Sequence, residues 1–432
     1  MFVSECLGIN ECGRLTIGGL DTVDLANKYG TPLYIMDEAQ IRKACRLYKH
    51  SFERYYDGKG QALYASKALN CKEICRIIKD EGLGLDVVSA GEMYTALKSG
   101  FPAERIHFHG NNKTRDEIKM ALENDIGKIV IDNFEEIDIV NSMAREMNKS
   151  VNISLRIKPG IDAHTHEFIR TGQIDSKFGF ALQTGEAIRA VEKVLSLKNV
   201  NLSELHCHIG SQIFDIQPFV HAAEVMMLFI KEVHDRFCVE IPELNLGGGF
   251  GIKYVDSDKP VTYDKYMKYV SDAVKKMAKA YNISVPYIYI EPGRSIVGEA
   301  GITLYTIGSI KDIPDVRTYV SVDGGMTDNP RYALYGSEYA CVIADRANEA
   351  ETKKVTIAGR CCESGDIIQK DALISEPKVG DKLAVLCTGA YNYSMASNYN
   401  RVPKPPIIMV RDGKDRIIVR RQTLDDLIEN DI

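Results

Sequence analysis

The sequence has no tryptophan and no run approaching the eighteen or so apolar residues of a membrane-spanning helix, so none is expected. It also lacks any excess of positive charge. Lysine and arginine number 54 against 60 aspartates and glutamates, for a net charge of −6, which argues against nucleic acid or an anionic membrane as partner. The opening MFVSECLGINECGRL has no basic segment followed by an apolar run and does not read as a secretory signal. The 11 cysteines are odd in number, scattered, and never arranged as two neighbouring C-x-x-C pairs. That pattern fits free thiols in a reducing cytoplasm better than a disulfide framework or a structural zinc site. No G-x-x-x-x-G-K-[ST], G-x-G-x-x-G or H-E-x-x-H motif occurs.

What is present is a long, compositionally ordinary chain. With 432 residues, 45% hydrophobic and 26% charged, two domains are expected, with no low-complexity linker between them. From Asp37 to about Ala300, eight segments of helical period alternate with eight short apolar runs. The helical segments begin with DEAQIRKACRLYKHSFE and end with YDKYMKYVSDAVKKMAKAYN. The apolar runs are ALYASK, GLDVVS, IHFHG, KIVIDN, ISLRI, LHCHIG, LNLGGG and YIYIEPG. Apolar runs with little alternation suit strands covered on both faces, and this alternation predicts a (β/α)8 barrel over residues 37–300 that begins with a helix. Residues 301–432 read instead as strands with glycine and aspartate turns, including a hairpin at Asp412–Gly413–Lys414–Asp415 and a short terminal helix, LDDLIEND. Residues 1–36, with GRLTIGGL and TPLYIMD, are expected to join this second, β-sandwich-like or barrel-like domain.

Polar residues and glycines gather where the barrel strands end: Lys67, Ser89, Gly110, Asn111, Asp132, Arg156, His208, Gly249 and Glu291. Barrel enzymes place their chemistry at that face. Lys67 ends ALYASK. A strand-end lysine is by default a surface residue, but one stripped of water can condense with an aldehyde cofactor. Gly247–Gly248–Gly249–Phe250–Gly251 either makes a flexible turn or lets backbone amides converge on a phosphate. Glu291, in EPGR, either forms a surface pair or faces a protonated ring nitrogen, and Arg294 can grip a phosphate or carboxylate. His206 and His208 share one strand face, and His164 and His166 are similarly spaced. Neither pair comes with a third and fourth ligand at suitable spacing, so no metal is expected. A histidine stacked on an aromatic ring, with Ser211 bonding a phosphate, suits the other motifs better. Cys362, in CCES, is either a small core residue or a proton donor or nucleophile. Arg331 and Tyr335 sit four apart, a spacing that can share one helical face, and either bind an anion or form a surface turn.

Taken in order, YASKALN, GLDVVSAGE, FHGNNK, THEFIRTGQIDSKFGF, LHCHIGSQI, LNLGGGFGI, EPGRSIV, VDGGMTDNPRYALY, CCESGD and TGAYNYSMASNYN resemble the fold-type III pyridoxal-phosphate decarboxylases. They are most similar to the branch that acts on diaminopimelate. The resemblance spans roughly residues 60–400. It implies pyridoxal 5′-phosphate carried on Lys67, His208 stacked on its ring, and Glu291 at its ring nitrogen. Its phosphate would lie against Ser211, Gly248, Gly249, Gly293 and Arg294. Tyr391 would touch cofactor and substrate, and Cys362 would donate a proton. Cys362 and Glu363 would reach the neighbouring subunit's site, which implies a head-to-tail homodimer with shared active sites. For a substrate with an ammonium and a carboxylate at its far end, Arg294, Arg331 and Tyr335 can take the carboxylate and Glu363 the ammonium. A buried Arg331 without such a carboxylate would be costly. The alternatives are a sister enzyme acting on ornithine, lysine or arginine, including D-configured substrates, a racemase, or an inactive homologue. Two positions depart from the family pattern: Tyr332 and Arg360 stand where proline is usual.

Overall fold

The computed structural model describes residues 2–161 and 176–432. His164, His166 and residues 165–175 of the THEFIRTGQIDSKFGF motif lie outside the described residues. The chain divides into two compact units: Ala44–Gly251 with Pro260–Gly293, and Met1–Lys43 with Ile252–Lys259 and Arg294–Ile432.

The first unit is a closed parallel barrel. Its strands run in the order Gly60–Ala65, Gly84–Val87, Ile106–Phe108, Lys128–Ile131, Val151–Lys158, Val200–Cys207, Glu243–Asn245 and Tyr287–Ile290, and the last pairs with the first. Each expected helix forms. The one over Glu186–Leu195 buries Ala187, Ala190, Val191 and Val194, the three- and four-residue spacing of a single apolar stripe. Three barrel helices have their starts capped by side chains of the preceding loops. Thr114 and Glu117 form a reciprocal capping box, and Ser89 Oγ accepts from the Glu92 amide. Ser89 therefore has a local structural task at its strand end.

The second unit is mostly β. A path of seven strands runs Ile367–Ile374, Lys353–Ala358, Arg317–Val322, Gly301–Ile313, Leu33–Asp37, Ile407–Arg411 and Lys414–Val419. TPLYIMD joins this sheet, pairing antiparallel with Gly301–Ile313 and parallel with Ile407–Arg411. GRLTIGGL does not; it forms a separate three-stranded sheet, Leu7–Ile9, Leu15–Ile17 and Leu20–Asp21, whose Leu15 and Ile17 pack into the same core as Leu33, Ile35 and Ile408. The hairpin turn falls on Asp412 and Gly413, both at positive φ, as a two-residue connection between twisted strands requires.

Candidate active site

Barrel strands alternate inward and outward side chains, and here the inward positions carry two polar layers two residues apart. The deeper layer holds Lys128, whose Nζ lies 2.9 Å from Glu204 Oε2 and 2.5 Å from Glu243 Oε2. Tyr289 donates to Glu243 Oε1 at 3.2 Å, and the His107 and Tyr289 rings lie 4.9 Å apart. These residues come from strands that are not all neighbours, so their contacts cross the barrel interior.

The outer layer lies two residues further along the same strands: His109, His206, Asn245 and Glu291. Asn245 Nδ2 donates to Glu291 Oε1 at 2.8 Å, and His206 Nε2 lies 3.2 Å from Oε2. His109 Nε2 lies 2.9 Å from Glu291 Oε1 and 3.8 Å from Asp86 Oδ1. The ligand atoms of His109, His206 and Glu291 all fall within 4.8 Å of one another. His206 therefore meets His109 and Glu291, and it is His208, just beyond the strand, that stands at the mouth. Burial would raise the Glu291 pKa, but the two histidines beside it hold it well below the usual carboxylate range. Burial works against charge on His109 too, yet Asp86 and Glu291 outweigh it and raise its pKa. His206, pushed down by burial to about 4, is a neutral donor.

At the mouth, Lys67 sits in the turn Ser66–Ala68 directly after its strand. It is exposed between buried neighbours, because the turn carries it past the strand's last buried residue; it is not stripped of water. Burial, Lys67 and Arg156 push His208 well below the ordinary imidazole value, so its ring is neutral, and its Nδ1 accepts from the Gly248 amide at 3.2 Å. The glycines are demanded by space. A Cβ on Gly248 would lie 2.1 Å from the Glu291 carbonyl oxygen. Gly249 has φ +109°, and its Cβ would lie 2.5 Å from the Gly210 oxygen. The Ile213 amide donates to the Gly249 carbonyl at 2.9 Å, which ties the loop carrying Ser211 to the glycine loop. Gly293 is packed against Ala65, at the end of the strand that leads to Lys67. Asp132 accepts from the Gly179 amide at 3.0 Å and lies 3.9 Å from Arg156, whose guanidinium covers the Phe178 ring.

Within the β unit, Arg294 and Arg331 both stack on the Tyr391 ring, at 4.9 and 5.1 Å. Arg294 Nη1 donates to Tyr254 Oη at 2.6 Å. Arg331 begins the one-turn helix Arg331–Tyr335 and lies 5.1 Å from the Tyr335 ring. It is buried, its Nε has no hydrogen-bond partner, and no carboxylate pairs with it among the described residues. The loop with Cys362 and Glu363 is exposed at its tip and fastened at its base. Asp366 accepts from the Cys361 amide at 2.7 Å and the Met326 amide at 2.6 Å, while Asn400 Oδ1 accepts from the Cys362 amide at 2.9 Å. Arg360, where the family pattern has proline, donates its amide to the Gly324 carbonyl at 2.9 Å, a bond proline cannot make.

Glu291 and His208 stand out in the sequence, whereas His109, Asp86 and Asn245 do not stand out singly. The available signal was the two-residue repeat of polar types, His107–His109, Glu204–His206 and Glu243–Asn245, at inward positions that barrels usually fill with bulky apolar residues.

Comparison with known proteins agrees with this geometry. The family model for the pyridoxal-dependent decarboxylase, pyridoxal binding domain, matches residues 38–298. The diaminopimelate decarboxylase of Bacillus subtilis is 50% identical over 432 residues, covering 100% of this chain and 98% of that one. That of Bacillus methanolicus is 52% identical over 422 residues, covering 98% of each. The crystal structure of diaminopimelate decarboxylase from M. jannaschii in co-complex with L-lysine superposes with a TM-score of 0.92 at 37% identity, covering 100% of this chain and 99% of that one. The chain belongs to the pyridoxal-dependent decarboxylases and, within them, to the diaminopimelate decarboxylases. Its residues fit pyridoxal phosphate: a strand-end lysine, a neutral histidine ring, glycines with no room for a side chain, and a carboxylate held ionised inside the barrel mouth.

Proposed function

We propose that this chain decarboxylates meso-2,6-diaminopimelate to L-lysine and CO2, as the names of its relatives suggest, with pyridoxal phosphate as its cofactor. When bound, that cofactor supplies an electron sink for the pair left behind by CO2. Lys67 bears it, and the neutral His208 offers a ring face for stacking. The amides of Gly248 and Gly249, with Ser211, Gly293 and Arg294, hold its phosphate. Glu291, ionised by its surroundings, holds a proton on the ring nitrogen. Arg331, Tyr335 and Arg294 bind the substrate's distal carboxylate, and Glu363 binds the distal ammonium. Tyr391 would contact cofactor and substrate. The bond to the carboxyl carbon breaks, and Cys362 Sγ delivers the proton that replaces it. The exposure of Cys362 and Glu363, on a loop fastened by Asp366, supports their use in the site of a second copy, in a homodimer working in the cytoplasm.

The observation that carries the choice of substrate is Arg331. It is a buried cation flanked by two tyrosine rings and unmatched by a carboxylate among the described residues, which suits a ligand that brings its own. Ornithine, lysine and arginine bring none at the far end. The test is CO2 release from diaminopimelate, lysine, ornithine and arginine by the wild type and Arg331→Ala. Diaminopimelate is expected to be preferred by the wild type, and its kcat/KM to fall about 100-fold or more in the variant. Undiminished turnover of diaminopimelate by Arg331→Ala would remove the argument.

A further inference from the structure

The proposed reaction leaves two buried histidines and an aspartate without a task. His109 and His206 come from two different strands and converge on Glu291, and Asp86, from a third, approaches His109. An ionised carboxylate offers about four acceptor positions. Asn245 and His206 take one each, at 2.8 and 3.2 Å, and His109 stands 2.9 Å from Oε1 as an ion-pair partner. About one position is left for a donor entering from the mouth. Asp86 Oδ1 lies 3.8 Å from the same His109 Nε2 that faces Glu291, and it is buried without a hydrogen bond among the described residues. Were His109 neutral, two buried carboxyl groups would face one ring nitrogen with no cation there. Its other charged or titratable neighbours do not replace it. His107, on the same strand, is held neutral by burial and Lys128, and His206 is neutral as well. Lys67 and Arg156 add positive charge felt at Asp86, but neither forms an ion pair with Glu291.

We propose that His109, as an imidazolium whose Nε2 faces both Asp86 and Glu291, is a positioning residue that keeps the Glu291 carboxylate charged and oriented with one acceptor position open, while His206 fixes the carboxylate plane. This rests on Glu291 being the partner of the cofactor's ring nitrogen, and the experiment separates the two ideas. Wild type, His109→Gln, Glu291→Gln and the double variant are compared as holoenzymes. Glutamine keeps an N–H donor of similar reach and removes only the charge. In His109→Gln, kcat on diaminopimelate is expected to fall about 10- to 100-fold with KM within about threefold, and pyridoxal phosphate to bind about tenfold more weakly. The double variant should be no slower than Glu291→Gln, because both changes disable one unit. Independently of any variant, nitrogen-15 NMR of histidine-labelled wild type should show a buried imidazole that loses its proton above the ordinary 6.5, and that signal should be missing from His109→Gln. Losses that add in the double variant, or no buried histidine that keeps its proton above 6.5, overturn the role of His109 and leave that of Glu291 standing. If Glu291→Gln itself changes neither kcat nor cofactor affinity, the ring-nitrogen reading fails and this proposal goes with it.

Discussion

His107 and His109 occupy the same strand edge two residues apart, and their surroundings drive them in opposite directions. His107 belongs to the deeper layer, where Lys128 already supplies a cation to Glu204 and Glu243; a second positive charge is repelled, and the imidazole stays neutral. His109 belongs to the outer layer, where Asp86 and Glu291 have no lysine paired with them, and the imidazole becomes the cation. The lesson is that a buried residue's chemistry is set less by depth than by whether the opposite charge at its level has already been supplied. The deeper layer is closed on itself and serves the fold. The outer layer keeps an acceptor position open and serves the reaction.

That contrast can be broken in several places. The largest expected effect is Lys128→Met, which strands two carboxylates in the interior. Unfolding in urea should show a loss of about 3–5 kcal/mol, while kcat of the protein that remains folded stays near wild type. Next is Glu291→Gln in the outer layer, for which kcat should fall about 100- to 1,000-fold with a much smaller change in urea midpoint. If these two readouts exchanged places, the division of labour between the layers would be wrong. A smaller effect concerns pH. His206 is held to about 4 when folded, against an ordinary value of 6.5. Between those two values the unfolded chain binds a proton that the folded protein refuses. Stability therefore falls as pH is lowered from about 6.5 to 4, by up to about 1.4 kcal/mol per pH unit from this one group. His206→Gln should remove that slope from urea midpoints measured across the window. His109 has the opposite sign: its contribution is fully present below 6.5 and is lost as pH rises through its elevated value. The smallest effect is expected for His107→Phe. His107 Nδ1 has no hydrogen bond, and an aromatic ring of similar volume should cost less than about 1.5 kcal/mol. A larger cost would give a polar role to the approach of His107 Nδ1 to Glu204 Oε2 at 3.8 Å.

The barrel was legible because its local signals agree with one another. Apolar runs of four to eight residues alternate with amphipathic segments, some of them opened by side-chain caps such as Thr114 and Ser89. The β unit was less so. Ile367–Ile374, in IIQKDALI, breaks its alternation at Lys370–Asp371, where Asp371 takes φ +57°, and the pairing there carries register shifts. The helix Thr22–Tyr29 is too short for its period to stand out, and its first turn is fixed by Asp21 accepting from the Val23 and Asp24 amides. Within the site, Glu291 and the glycines announced themselves because each is odd for its place in a strand–loop junction. His109 did not. One histidine in IHFHG looks like any packed histidine, and its meaning comes from Asp86 and Glu291, more than twenty residues before it and more than a hundred and eighty after it.

The two-residue spacing of the layers also bears on how the chain finds its fold. If one barrel strand slid by a single residue against its neighbours, its inward polar groups would turn outward and its apolar ones inward. A slide by two would keep the right face but lift Glu243 to the level of Glu291 and remove it from Lys128, so that acid would meet acid where the native alignment has Asn245. Either error buries charge without a counterion. The striped interior is thus a ruler that the strands check against one another as they assemble, and the carboxylate that serves the reaction is one of its marks.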